Sequence, residues 1–222
     1  MNDILEQIQK IGIIPVIAIS DASKAIPLAN ALLEGGVPCA EITFRTAFGE
    51  ESIRKISEQM PEILVCAGTV LTCEQAQRAK DAGAKFVVSP GLNPKVVRYC
   101  VGNNILIVPG CATPSDMEAA MEFGLSAVKF FPAEQAGGLN YIKAVSAPYP
   151  NLSFIPTGGI NASNIGKYAA FGKVLACGGS WMVTKELIDA GNFTEITRLC
   201  REAVQIVKDA RMAAREERPR FA

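Results

Sequence analysis

Histidine is absent from this chain of 222 residues, and so is net charge. Without histidine the chain lacks the usual general base and the commonest transition-metal ligand, so acid–base work must fall to a carboxylate, lysine, tyrosine or water. Because 22 basic side chains balance 22 acidic ones, there is no electrostatic footprint for nucleic acid. No apolar run is long enough to span a bilayer, and the amino terminus lacks the basic start of a signal peptide. We therefore expect a cytoplasmic protein with neither a nucleic-acid nor a membrane partner.

Paired cysteines are missing too. The seven cysteines are odd in number and form no CxxC pair, and they stand at positions 39, 66, 73, 100, 111, 177 and 200. This pattern is typical of reduced, mostly buried thiols and not of a disulfide framework or a zinc site. Since 49% of the residues are hydrophobic, residues 1–222 are predicted to form one domain. The charged run from about residue 208 is interpreted as a short helical tail in solvent.

Short β-rich runs alternate with helical patterns along the chain, which indicates repeated βα units around a parallel sheet. Eight strands are predicted at Ile13–Ile19, Ala40–Phe44, Leu64–Val70, Phe86–Pro90, Leu106–Gly110, Ala127–Phe131, Ser153–Thr157 and Val174–Cys177. Helical stretches include Ala22–Glu34, Glu50–Met60, Cys73–Ala82, Pro94–Val101, Pro114–Phe123 and Ala162–Phe171. Left-handed glycines are expected just past four of the helices, at Gly35–Gly36, Gly83, Gly124 and Gly172.

This periodicity predicts an α/β fold of the (β/α)8 TIM-barrel class, because eight βα units fill little more than 200 residues. A doubly wound open sheet is the alternative. No GxGxxG motif follows the first predicted strand, where a dinucleotide-binding sheet would need it, and this disfavours the open sheet.

Lys129 places a cation inside the apolar run of the sixth predicted strand. Burial disfavours the charged form of an amine, and a neutral amine can attack a carbonyl to form a Schiff base. A strand-end lysine that reaches solvent is the other interpretation. The position in the fold favours the nucleophile, because the carboxyl ends of barrel strands carry the chemistry and other unusual residues collect there.

Two further patterns support a site at that end. Glu41, Thr43 and Arg45 alternate along the second predicted strand and therefore share one face. A carboxylate there can carry protons for Lys129, although a structural ion pair would have the same pattern. Glycine pairs follow the seventh and eighth strands, at Gly158–Gly159 and Gly178–Gly179. Barrels bind phosphate at these loops, so the pairs predict an anionic, phosphorylated ligand.

An ordered series of motifs over nearly the whole chain resembles the class I aldolases that cleave 2-keto-3-deoxy-6-phosphogluconate (KDPG) or 4-hydroxy-2-oxoglutarate (KHG). The motifs are Ile14-Pro15-Val16, Glu41-Ile42-Thr43-Phe44-Arg45-Thr46, Ala67-Gly68-Thr69-Val70, Ser89-Pro90-Gly91, Lys129-Phe130-Phe131-Pro132-Ala133-Glu134, Pro156-Thr157-Gly158-Gly159-Ile160 and Gly178-Gly179-Ser180-Trp181. The resemblance implies a homotrimer that needs neither metal nor cofactor. It also implies a Schiff base between Lys129 and the pyruvate carbonyl, with Glu41 as the proton carrier.

The resemblance assigns the remaining residues to substrate binding. Arg45 and Thr69 would hold the pyruvate carboxylate, Pro90 and Phe131 would shape its pocket, and Thr157 would contact the substrate. Gly158, Gly159, Gly179 and Ser180 would form the phosphate end.

The implied activity is reversible cleavage of KDPG to pyruvate and glyceraldehyde 3-phosphate, with KHG, which yields pyruvate and glyoxylate, as a second substrate. Galactonate-type members commonly carry an arginine near the end of strand one, where this chain has Ala18-Ile19-Ser20, so the phosphogluconate substrate is favoured. The alternatives are 2-dehydro-3-deoxy-6-phosphogalactonate aldolase, a sugar-phosphate isomerase or epimerase that uses Lys129 only as a charge, and an inactive trimeric barrel that serves as an assembly subunit.

Overall fold

The computed structural model describes residues 3–216, in which helices and strands alternate. The strands are β1 (Ile13–Ile17), β2 (Cys39–Thr43), β3 (Leu64–Gly68), β4 (Val87–Val88), β5 (Ile107–Val108), β6 (Ala127–Phe130), β7 (Ser153–Pro156) and β8 (Cys177–Gly179). The helices are α1 (Asp3–Ile11), α2 (Ala25–Glu34), α3 (Gly49–Gln59), α4 (Cys73–Asp81), α5 (Pro94–Gly102), α6 (Pro114–Glu122), α7 (Gly138–Ser146), α8 (Ile165–Ala169), α9 (Lys185–Asp189) and α10 (Phe193–Glu216).

The strands form two parallel sheets. The larger has the order β5-β4-β3-β2-β1-β8, and the smaller pairs β6 with β7. An isolated bridge between Gly110 and Lys129 joins β6 to the segment after β5, and a bridge between Thr157 and Gly178 joins the end of β7 to β8. The α/β class and the parallel strand order are therefore as the sequence predicts.

Two apolar clusters occupy the two faces of the strands. The larger cluster takes alternate strand residues such as Ile42, Ala67 and Val128 and packs them against the helices. The other cluster takes the intervening strand residues, such as Cys66 and Ala127, and packs them with Leu5 and Ile8 of α1. Since side chains alternate along a strand, the second cluster lies on the inner face, and α1 covers it at one end.

Side-chain caps begin several of the predicted helices close to their expected first residues. The Thr72 hydroxyl accepts a hydrogen bond from the Gln75 amide at the start of α4. Thr113 and Asp116 form a reciprocal capping box at the start of α6, where Pro114 occupies the first turn. These bonds satisfy amide groups that have no partner within the helix, which explains why the boundaries could be predicted closely.

The predicted eighth strand, Val174–Cys177, is wrong in its position. In the structure β8 begins at Cys177, because Cys177, Gly178 and Gly179 pair with Ile13, Ile14 and Pro15 of β1. Glycine is depleted in strands, so the sequence pattern favoured the apolar run before it.

The glycine caps are confirmed in part. Gly36, Gly83 and Gly124 have positive φ angles of 78°, 92° and 75°, whereas Gly35 has a φ angle of −74°.

The charged run from about residue 208 continues α10 as far as Glu216. Arg211, in this run, donates hydrogen bonds to the carbonyl oxygens of Gln9 and Leu175, so its guanidinium is anchored to the body of the protein. The rest of the predicted tail, residues 217–222, lies outside the described residues. Across residues 3–216, no helix is long and apolar enough to cross a membrane.

Candidate active site

Lys129 and Glu41 meet on the inner face, although their strands β6 and β2 are not neighbours. The Lys129 Nζ lies 3.4 Å from the Glu41 Oε1, and only 9% and 3% of the two side chains are exposed. Alternation places Lys129 in line with Ala127, and Glu41 in line with Cys39, both of which belong to the inner cluster. The two groups are therefore close enough to exchange a proton directly or through one water molecule.

The backbone fixes Lys129 on both sides. Its N–H donates to the Pro109 carbonyl at 2.9 Å, and its own carbonyl accepts from the Cys111 N–H at 2.8 Å. The Nζ also lies 5.6 Å from the centre of the Phe131 ring, within range of a cation–π contact. The Lys129 Nζ is thus held between a carboxylate and an aromatic ring.

The inner face changes from large side chains to glycine at the level of Lys129. A Cβ at Gly68 would lie 2.1 Å from the Glu41 Oε1, and a Cβ at Gly110 would lie 2.0 Å from the Pro90 carbonyl oxygen. A Cβ at Gly178 would lie 2.3 Å from the Thr157 Oγ1. The missing side chains on three strands leave room for the functional groups of the neighbouring elements.

Two cysteines lie on the same face as Glu41 and Lys129. Burial raises the pKa of the Cys39 thiol, and the Glu41 carboxylate adds to the effect. Burial raises the pKa of the Cys66 thiol as well, well above its ordinary value. Both therefore stay protonated at neutral pH and are poor nucleophiles.

Arg45 and Thr69 lie just after β2 and β3, and the Arg45 Nε donates to the Thr69 Oγ1 at 3.4 Å. The loop that carries Arg45 is tied to β1 because the Thr43 hydroxyl donates to the Ile17 carbonyl and the Thr46 hydroxyl donates to the Ile19 carbonyl. Within residues 3–216 no hydrogen bond or ion pair engages the terminal nitrogens of Arg45, which are suited to bind a carboxylate in a bidentate way.

The loop after β7 presents amide groups and not carbonyls. Gly158 and Gly159 have φ angles of 101° and 77°. The Gly158 carbonyl accepts from the Glu134 N–H at 3.1 Å, and the Gly159 carbonyl accepts from the Asn164 side chain at 2.9 Å. In the described part of the chain, the N–H groups of both glycines are left without a protein acceptor. Two consecutive amide groups without protein acceptors are donors that suit an anion.

Glu134 anchors this loop to α8. The Tyr168 hydroxyl donates to the Glu134 carboxylate, and the Lys167 Nζ lies 3.4 Å from it. The hydrogen bond from Tyr168 lowers the pKa of Glu134, and the nearby Lys167 adds to the effect. Glu134 is thus a carboxylate at neutral pH.

Known proteins are similar to this chain over most of its length. The family model of KDPG and KHG aldolase matches residues 4–199. The chain belongs to the KDPG and KHG aldolase family. It is 48% identical to the 2-dehydro-3-deoxy-phosphogluconate aldolase of Treponema pallidum, over 93% of this chain and 99% of the relative. It is 49% identical to the enzyme of the same name from Haemophilus influenzae, over 93% of this chain and 98% of the relative.

A solved structure of another family member is also similar. KDPG aldolase from Legionella pneumophila, with pyruvate captured at low pH as a covalent carbinolamine intermediate, matches with a TM-score of 0.87 at 36% identity. The match covers 90% of this chain and 97% of that chain.

The structure brings most of the sequence-predicted site residues of this aldolase-family chain into contact in small groups. Lys129 contacts Glu41 and Phe131, Arg45 contacts Thr69, and the Thr157 carbonyl accepts from the loop after β6. Two pairs pack closely, since a Cβ at Gly158 would lie 3.4 Å from the Phe131 ring and a Cβ at Gly179 would lie 2.0 Å from the Trp181 ring. Among residues 3–216, no side-chain hydrogen bond joins Ser180 to the other predicted residues.

Sequence reasoning missed the three close approaches at Gly68, Gly110 and Gly178, and it gave no role to Glu134. Gly68, Gly178 and Glu134 stand inside motifs that carry the family resemblance, so the signal was present. Gly68 and Gly178 differ from the loop glycines, because their φ angles are not in the left-handed region. Gly68 and Gly178 leave space for side chains of the neighbouring strand, and that space can be recognised only once the pairing of the strands is known.

A cavity of about 660 Å³ lies away from these residues. It is lined by Glu6, Gln9, Lys10, Ala169, Ala170, Phe171, Gly172, Val174, Arg211, Ala214 and Arg215. These residues belong to α1, α8, α10 and the segment before β8, and none of them is a predicted site residue. The chemistry around Lys129, and not the volume of this cavity, identifies the candidate active site.

Proposed function

We propose that this chain is a Schiff-base aldolase that reversibly cleaves KDPG to pyruvate and glyceraldehyde 3-phosphate without a metal. The observation that carries the proposal is the buried amine of Lys129, 3.4 Å from the carboxylate of Glu41. A relative with 36% identity holds pyruvate as a covalent carbinolamine, which is the species that such an amine forms with a ketone. Family membership and geometry thus favour the same reaction.

In this proposal the residues divide the substrate between them. Lys129 and Glu41 are the catalytic pair, and Arg45 with Thr69 binds the carboxylate of the pyruvate half. Pro90 and Phe131 shape the pocket around that half, and Thr157 contacts the substrate beyond it. The phosphate is held by Gly158, Gly159, Gly179 and Ser180. The free amides of the first two glycines support this assignment, since an anion needs donors.

The reaction begins when the Lys129 ammonium passes a proton to the Glu41 carboxylate, 3.4 Å away, and the neutral amine attacks the C2 ketone to form a carbinolamine. Glu41 delivers a proton to the carbinolamine hydroxyl, which leaves as water and gives an iminium. The C4 hydroxyl then gives its proton to the Glu41 carboxylate, and the C3–C4 bond breaks with its electron pair moving into the iminium. Glyceraldehyde 3-phosphate leaves first, the enamine is protonated at C3, and hydrolysis releases pyruvate and the free amine.

The phosphogluconate substrate is favoured over the galactonate isomer. At the end of β1, where galactonate-type members commonly carry an arginine, the Ser20 hydroxyl donates to the carboxylate of Asp189. The end of β1 therefore provides no positively charged side chain to the substrate. KHG is a second substrate in this proposal, because it shares the pyruvate half and differs only at its distal anion.

We infer further that the eight strands close into a (β/α)8 barrel and that residues 1–222 form one domain. The bridges between Gly110 and Lys129 and between Thr157 and Gly178 support closure, because they join the two sheets at both junctions. The homotrimer and the cytoplasmic location remain predictions of the sequence.

Trapping with borohydride tests the proposal. The protein is incubated with pyruvate and sodium borohydride, the intact mass is measured and the modified peptide is mapped. The expected result is one reduced pyruvate adduct on Lys129, with cleavage of KDPG by the untreated protein. Lys129→Met should give no adduct and no turnover, whereas Lys143→Met, which changes a lysine of α7, should behave as wild type.

A folded wild-type protein that forms no adduct would contradict the mechanism. It would shift the interpretation to a barrel that uses Lys129 only as a charge or to an inactive assembly subunit. An adduct on Lys129 without cleavage of KDPG would retain the Schiff base and reject the substrate. Parallel assays with KHG and with the galactonate isomer would then identify the substrate.

A further inference from the structure

Gly68 lies opposite the carboxyl group of Glu41 on the inner face. It is the last residue of β3 and pairs with Thr43 of the neighbouring β2. Its carbonyl accepts a hydrogen bond from the Phe44 N–H, so its backbone position is fixed. A Cβ at this position would lie 2.1 Å from the Oε1, 2.7 Å from the Cδ and 2.8 Å from the Cγ of Glu41.

Backbone conformation does not require a glycine here. The φ angle of Gly68 is outside the left-handed region, so an alanine could adopt it without strain. The three nearest atoms to the missing Cβ all belong to the end of one side chain, that of Glu41. A methyl group at position 68 would therefore be accommodated by displacing the Glu41 carboxyl, while the strands stay paired.

We propose that Gly68 is a positioning residue for the reaction, because the absence of its side chain lets Glu41 place its carboxylate beside Lys129. This inference rests on the proposed roles of Glu41 and Lys129. Glu41 has only 3% of its side chain exposed, so its carboxyl group is enclosed by neighbouring groups. Gly68 thus acts through Glu41, and it makes no contact with substrate in this proposal.

A double-mutant cycle in turnover tests the inference. Gly68→Ala should lower kcat for KDPG cleavage by about 10²-fold or more, since a positioned general acid–base group contributes roughly 10²- to 10⁴-fold. In the Glu41→Gln background the same change should lower kcat by less than about threefold, because the group it displaces is already inactive. A Cβ at Gly102 would meet no atom within 4 Å, so Gly102→Ala is the matched control and should retain wild-type turnover.

A cycle in stability keeps the test independent of the reaction. If the methyl group contacts Glu41, the loss of thermal stability in Gly68→Ala should disappear when Glu41→Ala removes the obstructing side chain. If Gly68→Ala alone fails to fold, recovery of folding in Gly68→Ala/Glu41→Ala would support the contact. Failure of that double variant to fold, when Glu41→Ala alone folds, would show that the backbone itself needs glycine, and it would overturn the inference.

The two proposals fail in different ways. A wild-type protein that forms the pyruvate adduct and cleaves KDPG, together with a Gly68→Ala variant of equal kcat, would reject the role of Gly68 alone. The same follows if the losses from Gly68→Ala and Glu41→Gln multiply. A wild-type protein without the adduct would reject the proposed reaction, and the stability cycle would still decide whether Gly68 makes room for Glu41.

Discussion

The buried pair of Lys129 and Glu41 should give a large coupling in protein stability. The Nζ and Oε1 are 3.4 Å apart, and both side chains are almost fully shielded from solvent. Coulomb's law with an effective dielectric constant of about 20 gives roughly 5 kcal/mol of attraction between unit charges at this separation. Removing one partner leaves the other charge buried, so Glu41→Gln or Lys129→Met should each destabilise the protein by about 3–5 kcal/mol.

The double variant Glu41→Gln/Lys129→Met should recover most of that loss. It leaves no charge buried without a partner, and that unpaired charge is the main cost in each single variant. We expect each single variant to melt about 10 °C below wild type, since 1 kcal/mol shifts the melting temperature by roughly 2–4 °C in a chain of this length. The double variant should melt within a few degrees of wild type.

The measurement is urea unfolding of the four proteins at pH 7, followed by circular dichroism and intrinsic fluorescence. Both probes must give the same transition for a free energy of unfolding to be defined. Single losses that simply add in the double variant would refute the reasoning, because additivity would mean that the two side chains do not interact. A coupling of at least about 2 kcal/mol is the expected result.

Three other measurements check different parts of the structure. Glu134→Gln should lower thermal stability at pH 7, because a folded-state pKa below the ordinary 4.5 stabilises the fold above that pH. The difference from wild type should shrink as the pH falls below about 4.5. In native protein at pH 8 only the half-buried Cys73 should react quickly with a thiol reagent, whereas all seven cysteines should react in urea. Burial raises the pKa of Cys111 and Cys177 to about 12, and access is blocked as well. Phe154→Ala should destabilise the protein by about 3–5 kcal/mol in urea unfolding, because the Phe154 ring is fully buried between β7 and the helices; a loss below about 1 kcal/mol would contradict that packing.

The sequence predicted the elements where local chemistry determines them. Capped helices such as α4 and α6 begin at the expected residues, because Thr72 and Thr113 bond to amides three positions along the chain. The eighth strand was misplaced because its residues are defined by pairing with β1, and two of them are glycines without β propensity. Pairing partners far apart in the chain leave little trace in a local pattern.

The candidate site likewise contains residues that the sequence reveals and residues whose part is visible only in the structure. Lys129 and Glu41 were found because a charge in an apolar strand contradicts its surroundings, and a residue that breaks the local rule points to a function. Gly68 and Gly178 break no comparable rule. In the sequence, a glycine that leaves space for a neighbouring side chain looks the same as a glycine that forms a turn. Their meaning depends on atoms of Glu41 and Thr157 across the neighbouring strand.

In the proposed mechanism a chain without histidine assembles its acid–base pair from Glu41 and Lys129. The reacting side chains stand on β2 and β6, which are not neighbours, so only the curvature of the sheets brings Glu41 to Lys129. Any large residue between them on the inner face would separate the two, and β3 supplies a glycine at the position where a side chain would collide with Glu41. The chemistry therefore depends as much on the space that Gly68 leaves as on the charges that fill it. Substitutions that enlarge that glycine should damage catalysis more than they damage the fold.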